Sequence, residues 1–191
     1  MIQRHIDDQL KEAVRILRAG GVILYPTDTI WGIGCDATNN QAVERIFDIK
    51  NRPTSKSMIV LIDNVAKTSI YVDDMPDVAW DLVEYATEPL TVIYQRGKNL
   101  ASNVINEDGS IAIRVTKEDI SSSLCRMLGR PLVSTSANLS GEPTANTFAS
   151  ISDKIKQSVD YIVPFRQNEK NTPLPSRIIK LNNDGVFKTI R

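Results

Sequence analysis

Several residue types that support common enzyme mechanisms are scarce in this chain of 191 residues. The one histidine, His5, lies in a charged amino-terminal segment, which argues against a histidine-based nucleophile triad. The two cysteines, Cys35 and Cys125, lack the CxxC spacing of a metal knuckle and favour a reducing compartment. No apolar run approaches the ~20 residues that a membrane helix needs. We therefore expect a soluble, cytoplasmic protein with no membrane partner.

An excess of charge is also missing, because 23 basic side chains balance 23 acidic ones. No overall field is expected to draw the chain to nucleic acid or to an anionic membrane, so any basic site must be local. The length fits a single domain over residues 1–191, and no linker interrupts it. The loop Gln167–Pro175 has the length of a lid, although a plain surface loop is equally typical of such a segment.

Helical and strand-like patterns alternate along the chain, which predicts an α/β class. Asp7 and Asp8 can cap an amphipathic first helix that ends at Gly20, and Val22–Tyr25 predicts a buried strand. The turn signal Asn182–Gly185 predicts a final hairpin. The other predicted helices are Ala42–Ile49, Val65–Ile70, Pro76–Tyr85, Ser121–Leu128 and Thr147–Ile155, and the other predicted strands are Met58–Ile62, Leu90–Tyr94, Ile111–Val115, Pro131–Ser134, Tyr161–Val163, Arg177–Leu181 and Val186–Ile190.

The segment Tyr25–Ala37 is too polar and too rich in glycine to be an ordinary core strand. Thr27, Asp28 and Thr29 follow a predicted strand at its carboxyl end, where open α/β sheets place ligands. Hydroxyls, a carboxylate and free backbone N–H groups are therefore available there. The segment predicts the wall of a small-molecule site.

The glycines of this segment formally match a dinucleotide fingerprint, Gly32-x-Gly34-x-x-Ala37. A genuine fingerprint follows its strand immediately and opens a helix. Here Pro26–Trp31 intervenes, and a turn separates the glycines from the next predicted helix. The pattern therefore does not favour a Rossmann site, and the absence of GxxxxGK[ST] excludes a P-loop.

Three cations, Lys50, Arg52 and Lys56, fall within seven residues just after a predicted helix. Arg52 can fork onto a phosphate or a carboxylate, and Lys50 can act as a point charge. A helix C-terminus also favours lysine and arginine without any ligand. Both interpretations remain open from this segment alone.

A second candidate anion site is the run Ser134–Thr144, which follows a predicted strand and is dense in hydroxyls and small residues. Such a segment can wrap N–H and hydroxyl donors around an anion. Serine, threonine and asparagine equally form helix caps and turns. The residues alone support both accounts.

Arg114 lies inside the predicted strand Ile111–Val115, on the face of Ala112 rather than of the isoleucines. A buried arginine needs an anionic partner, and a substrate carboxylate would serve. The alternative is a solvated sheet face. With no candidate protein nucleophile, the chemistry that remains is one that needs little proton transfer from the protein, such as nucleotidyl or phosphoryl transfer catalysed by positioning and charge.

Taken together and in this order, the motifs resemble those of the YrdC-like threonylcarbamoyl-adenylate synthases, in their short single-domain form. The resemblance extends over nearly the whole chain, and the joint occurrence of the motifs is far more specific than any one of them. The matching motifs are Tyr25-Pro26-Thr27-Asp28-Thr29, Gly32-x-Gly34-x-Asp36-Ala37, Lys50-x-Arg52-Pro53, Ile113-Arg114-Val115, Ser134-Thr135-Ser136-Ala137-Asn138-x-Ser140-Gly141 and Pro175-Ser176-x-Ile178.

The resemblance implies a twisted, mixed open sheet with helices packed on it and a deep basic cavity. It implies synthesis of L-threonylcarbamoyladenylate and pyrophosphate from L-threonine, bicarbonate and ATP, with Mg²⁺ accompanying ATP. This is the first step toward the threonylcarbamoyl modification of adenosine 37 in tRNA, so downstream transfer proteins are implied partners. Weak contact with RNA or tRNA is a further expectation. The alternative function is an RNA-binding or ribosome-associated module of the same fold without synthase activity.

The resemblance also assigns roles residue by residue. It implies that a Lys-x-Arg and Ser-x-Asn tetrad is catalytic, that one group of side chains surrounds threonine and that another surrounds ATP. The catalytic set is Lys50, Arg52, Ser136 and Asn138; the threonine set is Thr29, Arg114, Ser134 and Ser176; the ATP set is Arg52, Lys56, Ser110, Ser136, Thr144 and Arg191.

Overall fold

The computed structural model describes residues 2–53, 58–169 and 175–191. Helices and strands alternate along these residues, as the sequence predicts. The strands are β1 (Ile23–Tyr25), β2 (Gly32–Gly34), β3 (Ile59–Ile62), β4 (Leu90–Tyr94), β5 (Ile111–Val115), β6 (Leu132–Ser136), β7 (Tyr161–Ile162), β8 (Arg177–Leu181) and β9 (Phe187–Thr189). The α-helices are α1 (Ile2–Arg18), α2 (Asn40–Lys50), α3 (Thr68–Tyr71), α4 (Val78–Glu84), α5 (Asp119–Leu128) and α6 (Asp153–Ser158).

The strands form one mixed sheet in the order β7-β1-β2-β6-β3-β5-β4-β8-β9. β1 with β7, β3 with β5 and β4 with β8 are parallel pairs, and the other pairs are antiparallel. The predicted mixed sheet and the predicted β8–β9 hairpin are therefore confirmed. β2 was not predicted, because two of its three residues are glycines, which strands disfavour.

The predicted helix Thr147–Ile155 was wrong in its span. A 3₁₀ turn at Phe148–Ser150 is followed by extended backbone at Ile151, and α6 then begins. Thr147 accepts a hydrogen bond from the N–H of Ser150, and Ser152 accepts one from the N–H of Ile155. Each capping side chain starts its own short element, which divides the apparent helix into two.

The other helices end where local conformation requires it. α2 ends at Lys50 and α5 ends at Leu128. The residues that cap them, Asn51 and Gly129, both adopt the left-handed conformation, with φ of 48° and 73°. α1 begins at Ile2, so Asp7 and Asp8 lie inside it and do not cap it, contrary to prediction. Among the residues that the structure describes, no helix has the length and hydropathy needed to cross a bilayer.

The two faces of the sheet are covered differently. One face carries a large apolar core against α2, α4 and α6, and Val60, Ile113 and Val133 of the central strands belong to it. On the other face, Leu61 and Leu132 pack with α1 and α5 in a smaller apolar cluster. Because these two helices pack on β1, β3 and β7, the rest of this second face stays free to line a cavity.

Candidate active site

A cavity of about 520 Å³ lies on the second face of the sheet. Strand residues two apart share a face, and the strand register explains which of them line it. Ser134, Ile59, Ala112 and Ile93 stand in one row across β6, β3, β5 and β4, and all four line the cavity. The cavity therefore occupies alternate positions of strands whose other positions form the apolar core.

The same register gives the cavity two ends. Arg114 lies two residues beyond this row in one direction along the strands, and Ser136 lies two residues beyond it in the other. At ~3.3 Å per residue, the two positions are about 13 Å apart along the strand direction. Such a site has room for two substrates side by side.

The charged side chains that line the cavity, among the described residues, are Arg52, Arg114 and Arg191. No carboxylate lines it in that part of the chain. Burial lowers the pKa of Arg52, which still leaves a guanidinium cationic at neutral pH. Three guanidinium groups favour an anionic occupant, and each can bind a carboxylate or a phosphate through two N–H groups.

The two glycines of β2 make room for the ring of Tyr25. A Cβ atom on Gly34 would lie 2.3 Å from the carbonyl oxygen of Val133 and 2.7 Å from Cε1 of Tyr25. A Cβ atom on Gly32 would lie 3.3 Å from Oγ of Ser134 and 3.4 Å from the same ring carbon. The glycines therefore permit close packing between strands and are not a loop around a pyrophosphate, which removes the dinucleotide interpretation.

A hydroxyl-rich turn at the end of β1 forms part of the wall, as the sequence predicts. Oγ1 of Thr27 accepts a hydrogen bond from the N–H of Thr29 at 3.1 Å and donates to the carbonyl of Ile30 at 2.7 Å. Both threonines are buried and line the cavity. Arg166 also fixes the turn, because its Nη1 donates to the carbonyl of Thr27 at 3.0 Å. Thr29 is thus held at the cavity by its own backbone turn.

Arg114 is buried, with 3% of its surface exposed, so the solvated-face interpretation was wrong. Its Nη2 lies 3.0 Å from Oδ1 of Asp28, which is the anionic partner that burial requires. Its Nε is buried and has no hydrogen-bond partner among the described residues. Burial raises the pKa of Asp28, and the positive charge of Arg114 opposes that rise. Arg114 also lines the cavity, so its guanidinium adjoins the space that a ligand would occupy.

Ser176 lies at the Arg114 end of the cavity, as its predicted role requires. Its Oγ is 3.0 Å from Oγ1 of Thr91, the residue that stands opposite Arg114 on β4. Nε and Nη2 of Arg191 both donate to the carbonyl of Ser176 at 3.3 Å. Arg191, predicted for ATP, is thereby placed next to a residue predicted for threonine.

Lys50 is 1% exposed and does not line the cavity, although it was predicted to be catalytic. Its Nζ donates to the carbonyl of Ser136 and, at 2.5 Å, to that of Asn138. Its own carbonyl accepts from the N–H of Ser140 at 2.8 Å. Burial, with the nearby charge of Arg52, lowers the pKa of Lys50 to about 8. In this structure Lys50 holds the segment after β6 in place.

Other residues from Ser134 to Thr144 either line the cavity or hold the turn that follows β6. Ser134, Ser136 and Thr144 line the cavity. Nδ2 of Asn138 instead donates to the carbonyls of Leu139 and Glu142, at 3.0 and 2.8 Å. Its amide thus braces the turn, so both the anion-site and the turn interpretations of this run find support.

Ser110 is not brought to the cavity. Its Oγ donates to Oδ1 of Asp108 at 2.5 Å, and it borders a separate depression of about 370 Å³ together with Lys180. Its predicted contact with ATP therefore has no geometric support here. Lys56 and most of the loop Gln167–Pro175 fall outside the described residues.

Thr91 and Ile93 also line the cavity and were not predicted to do so. Their signal is the alternation within β4, where Val92 between them is buried in the apolar core. Alternation alone does not say which face of a strand meets a ligand. Only the pairing of β4 with β5 identifies that face.

Comparison with known proteins identifies relatives of this chain. The Sua5_yciO_yrdC family model, described as telomere recombination, matches residues 15–191. A threonylcarbamoyl-AMP synthase of Pseudoalteromonas translucida (strain TAC 125) is 37% identical over 181 residues, which cover 92% of this chain and 95% of that protein. The crystal structure of E. coli YciO has 30% identity and a TM-score of 0.80, covering 95% of this chain and 87% of that one.

The crystal structure of P. abyssi Sua5 complexed with L-threonine has a TM-score of 0.83 at 24% identity. The match covers 90% of this chain but 50% of that one, so this chain spans about half the length of that protein. At this identity the likeness concerns the fold.

Proposed function

This chain belongs to the Sua5/YciO/YrdC family, and we propose that it is a threonylcarbamoyl-AMP synthase, a nucleotidyltransferase that acts in tRNA modification in the cytoplasm. Its substrates are L-threonine, bicarbonate and ATP, and its products are threonylcarbamoyl-AMP and pyrophosphate. The observation that carries the proposal is the two-ended cavity whose charged lining residues are Arg52, Arg114 and Arg191. It suits one carboxylate and one polyphosphate.

The Arg114 end is the proposed threonine side. The guanidinium of Arg114, which lines this end, provides N–H donors for the α-carboxylate. The hydroxyls of Thr29, Ser134 and Ser176 provide polar contacts for the amino and hydroxyl groups of the substrate.

The Ser136 end is the proposed nucleotide side. Arg52, Ser136 and Thr144 line the cavity and can contact phosphate oxygens, and Lys50 fixes Ser136 through its carbonyl. Lys56 is added from the family resemblance. The guanidinium of Arg191 donates to the carbonyl of Ser176, which lies on the proposed threonine side. We propose that Arg191 also contacts ATP and therefore lies between the two substrates.

The proposed reaction needs no protein nucleophile. Bicarbonate and the threonine amine form a carbamate with loss of water, which creates an N–C bond. A carbamate oxygen then attacks the α-phosphorus of ATP, and the bond to pyrophosphate breaks. Positioning by the cavity and charge stabilisation by its arginines provide the catalysis.

Mg²⁺ is proposed to enter as part of the ATP complex. The cation prefers carboxylate and phosphate oxygens, and the described lining residues provide no carboxylate. Within the described residues, no group of three or more His, Cys, Asp or Glu side chains could hold a metal ion. The phosphates are therefore the proposed ligands. Proteins that transfer the product to tRNA are proposed downstream partners.

The decisive test is pyrophosphate release from ATP, measured with and without L-threonine and bicarbonate, and with L-serine as the control substrate. We expect release to require both substrates and to be slower with serine. An RNA-binding module would release no pyrophosphate, and threonine would not strengthen its binding of ATP. Arg52→Met should strongly reduce the release, and an unchanged rate would exclude Arg52 from the site.

A further inference from the structure

The ion pair Asp28–Arg114 stands between two cavities. Arg114 lines the 520 Å³ cavity, which Asp28 does not reach. Asp28 lines a second cavity of about 120 Å³, with Glu88 and Lys117 on its wall. The 3.0 Å contact between Asp28 Oδ1 and Arg114 Nη2 joins them. The carboxylate therefore approaches the guanidinium from behind, on the side away from the proposed substrates.

The strand neighbours of Arg114 supply no charge. In the register of the sheet, Leu61 of β3 and Thr91 of β4 stand on either side of it. A long, buried cationic side chain between an aliphatic residue and a hydroxyl is not fixed by them alone. Asp28 contacts it through an ion pair between Oδ1 and Nη2, and this attraction limits where the guanidinium can lie.

The backbone around Asp28 is itself well fixed. The hydrogen bonds of Thr27 close the turn on either side of it, and Arg166 donates both to the carbonyl of Thr27 and to Oε1 of Glu118. Glu118 and Arg166 are also the other charged groups that act on the Asp28 carboxyl, with opposite effects. The turn thus holds the backbone of Asp28 in one position, from which its carboxylate can orient the guanidinium of Arg114.

We propose that Asp28 is a positioning residue for the reaction: its ion pair with Nη2 holds the guanidinium of Arg114 at the wall of the cavity, where it can bind the carboxylate of threonine. This inference rests on the proposed function and adds a residue that does not touch the substrate. Asp28 also partly neutralises Arg114, which by itself would weaken carboxylate binding. The proposal states that orientation outweighs this loss, so removing the carboxylate must weaken threonine binding rather than strengthen it.

The test compares Asp28→Asn and Asp28→Glu by steady-state kinetics of pyrophosphate release. We expect the KM for threonine to rise at least tenfold in Asp28→Asn and less in Asp28→Glu, whereas the KM for ATP stays within twofold. Asp73→Asn is the matched control, because Asp73 pairs with Lys98 at 2.9 Å in an exposed position. An unchanged or lower KM for threonine in Asp28→Asn would overturn the proposal, as would an equal rise for both substrates.

A rescue experiment separates positioning from a general structural role. In Asp28→Ala, formate has access to the vacated position through the 120 Å³ cavity. Formate, but not chloride at equal ionic strength, should lower the KM for threonine in this variant and not in the wild-type protein. Absence of rescue would contradict the proposal. A wild-type protein without threonine-dependent activity would instead refute the proposed function.

Discussion

Along β5, Ile111 and Ile113 lie in the apolar core, whereas Ala112 and Arg114 line the cavity on the opposite face. β6 shows the same contrast, with Val133 in the core and Ser134 at the cavity. One face buries apolar surface against helices, which stabilises the fold. The other face uses the same backbone to hold polar groups at fixed spacings.

The difference teaches that the site is built on rigid elements rather than on loops alone. Groups held by strands are positioned more accurately than groups on loops, provided that neighbouring contacts fix their side chains. Here Asp28 fixes the side chain of Arg114 through an ion pair, and Thr91 fixes the side chain of Ser176 through a hydrogen bond. Substitutions on the two faces should therefore have separable effects, on stability for one face and on kinetics for the other.

The largest effect is expected for Arg114→Met, which keeps the length of the side chain but removes its charge. Loss of the proposed charged contact between the guanidinium and the threonine carboxylate, about 4 kcal/mol if it is bidentate, should reduce kcat/KM for threonine roughly 10³-fold. The measurement is threonine-dependent pyrophosphate release. Arg45→Met, which removes the half-exposed contact with Asp160, is the control and should retain activity. Near-normal activity of Arg114→Met would mean that this face does not bind threonine.

A smaller effect is expected from pH acting on Lys50, whose pKa is lowered to about 8 by burial and by Arg52. Below pH 8 the ammonium is charged, and above it the charge that holds the carbonyls of Ser136 and Asn138 is lost. At pH 9 about a tenth of the molecules keep the charge, so the rate should fall about tenfold from its plateau.

Lys50→Arg provides the matched variant for this pH profile, because a guanidinium does not titrate in this range. A folded Lys50→Arg protein should show no loss of rate between pH 7.5 and pH 9, apart from the intrinsic dependence of the substrates. If the wild-type rate is also constant over that range, Lys50 does not need its charge to support the segment after β6.

The smallest effect is expected on the core face, for Ile113→Val. Removing one buried methylene should lower the free energy of unfolding by about 1 kcal/mol, measured by urea denaturation. The KM values for threonine and ATP should not change, because Ile113 faces the core and not the cavity. A kinetic effect as large as that of a cavity residue would contradict the separation between the two faces.

Much of the fold was predictable from local patterns. The bounds of β4, β5 and β8 agree with the prediction, because apolar and β-branched runs with clear ends define them. Local patterns failed at β2 and around Ile151, where glycine packing and paired capping residues decide the conformation. Both depend on particular neighbours rather than on hydrophobic periodicity.

The sequence indicated most of the segments that form the candidate site but not which of their residues line the cavity. Thr29, Arg114, Ser134, Ser136 and Ser176 line one cavity, whereas Lys50, Asn138 and Ser110 are not among its lining residues. The sequence did not indicate which cations face the ligand and which support the wall, because that distinction depends on burial and contacts.

The sequence by itself determined the α/β class, the order of most elements and the set of motifs that form the cavity, because these follow from residue periodicity and from motifs in a fixed order. Only the tertiary structure decided that Lys50 supports the wall, that Ser110 lies elsewhere and that Asp28 holds Arg114 from behind. These relations depend on strand register and side-chain direction, which bring together residues far apart in the chain.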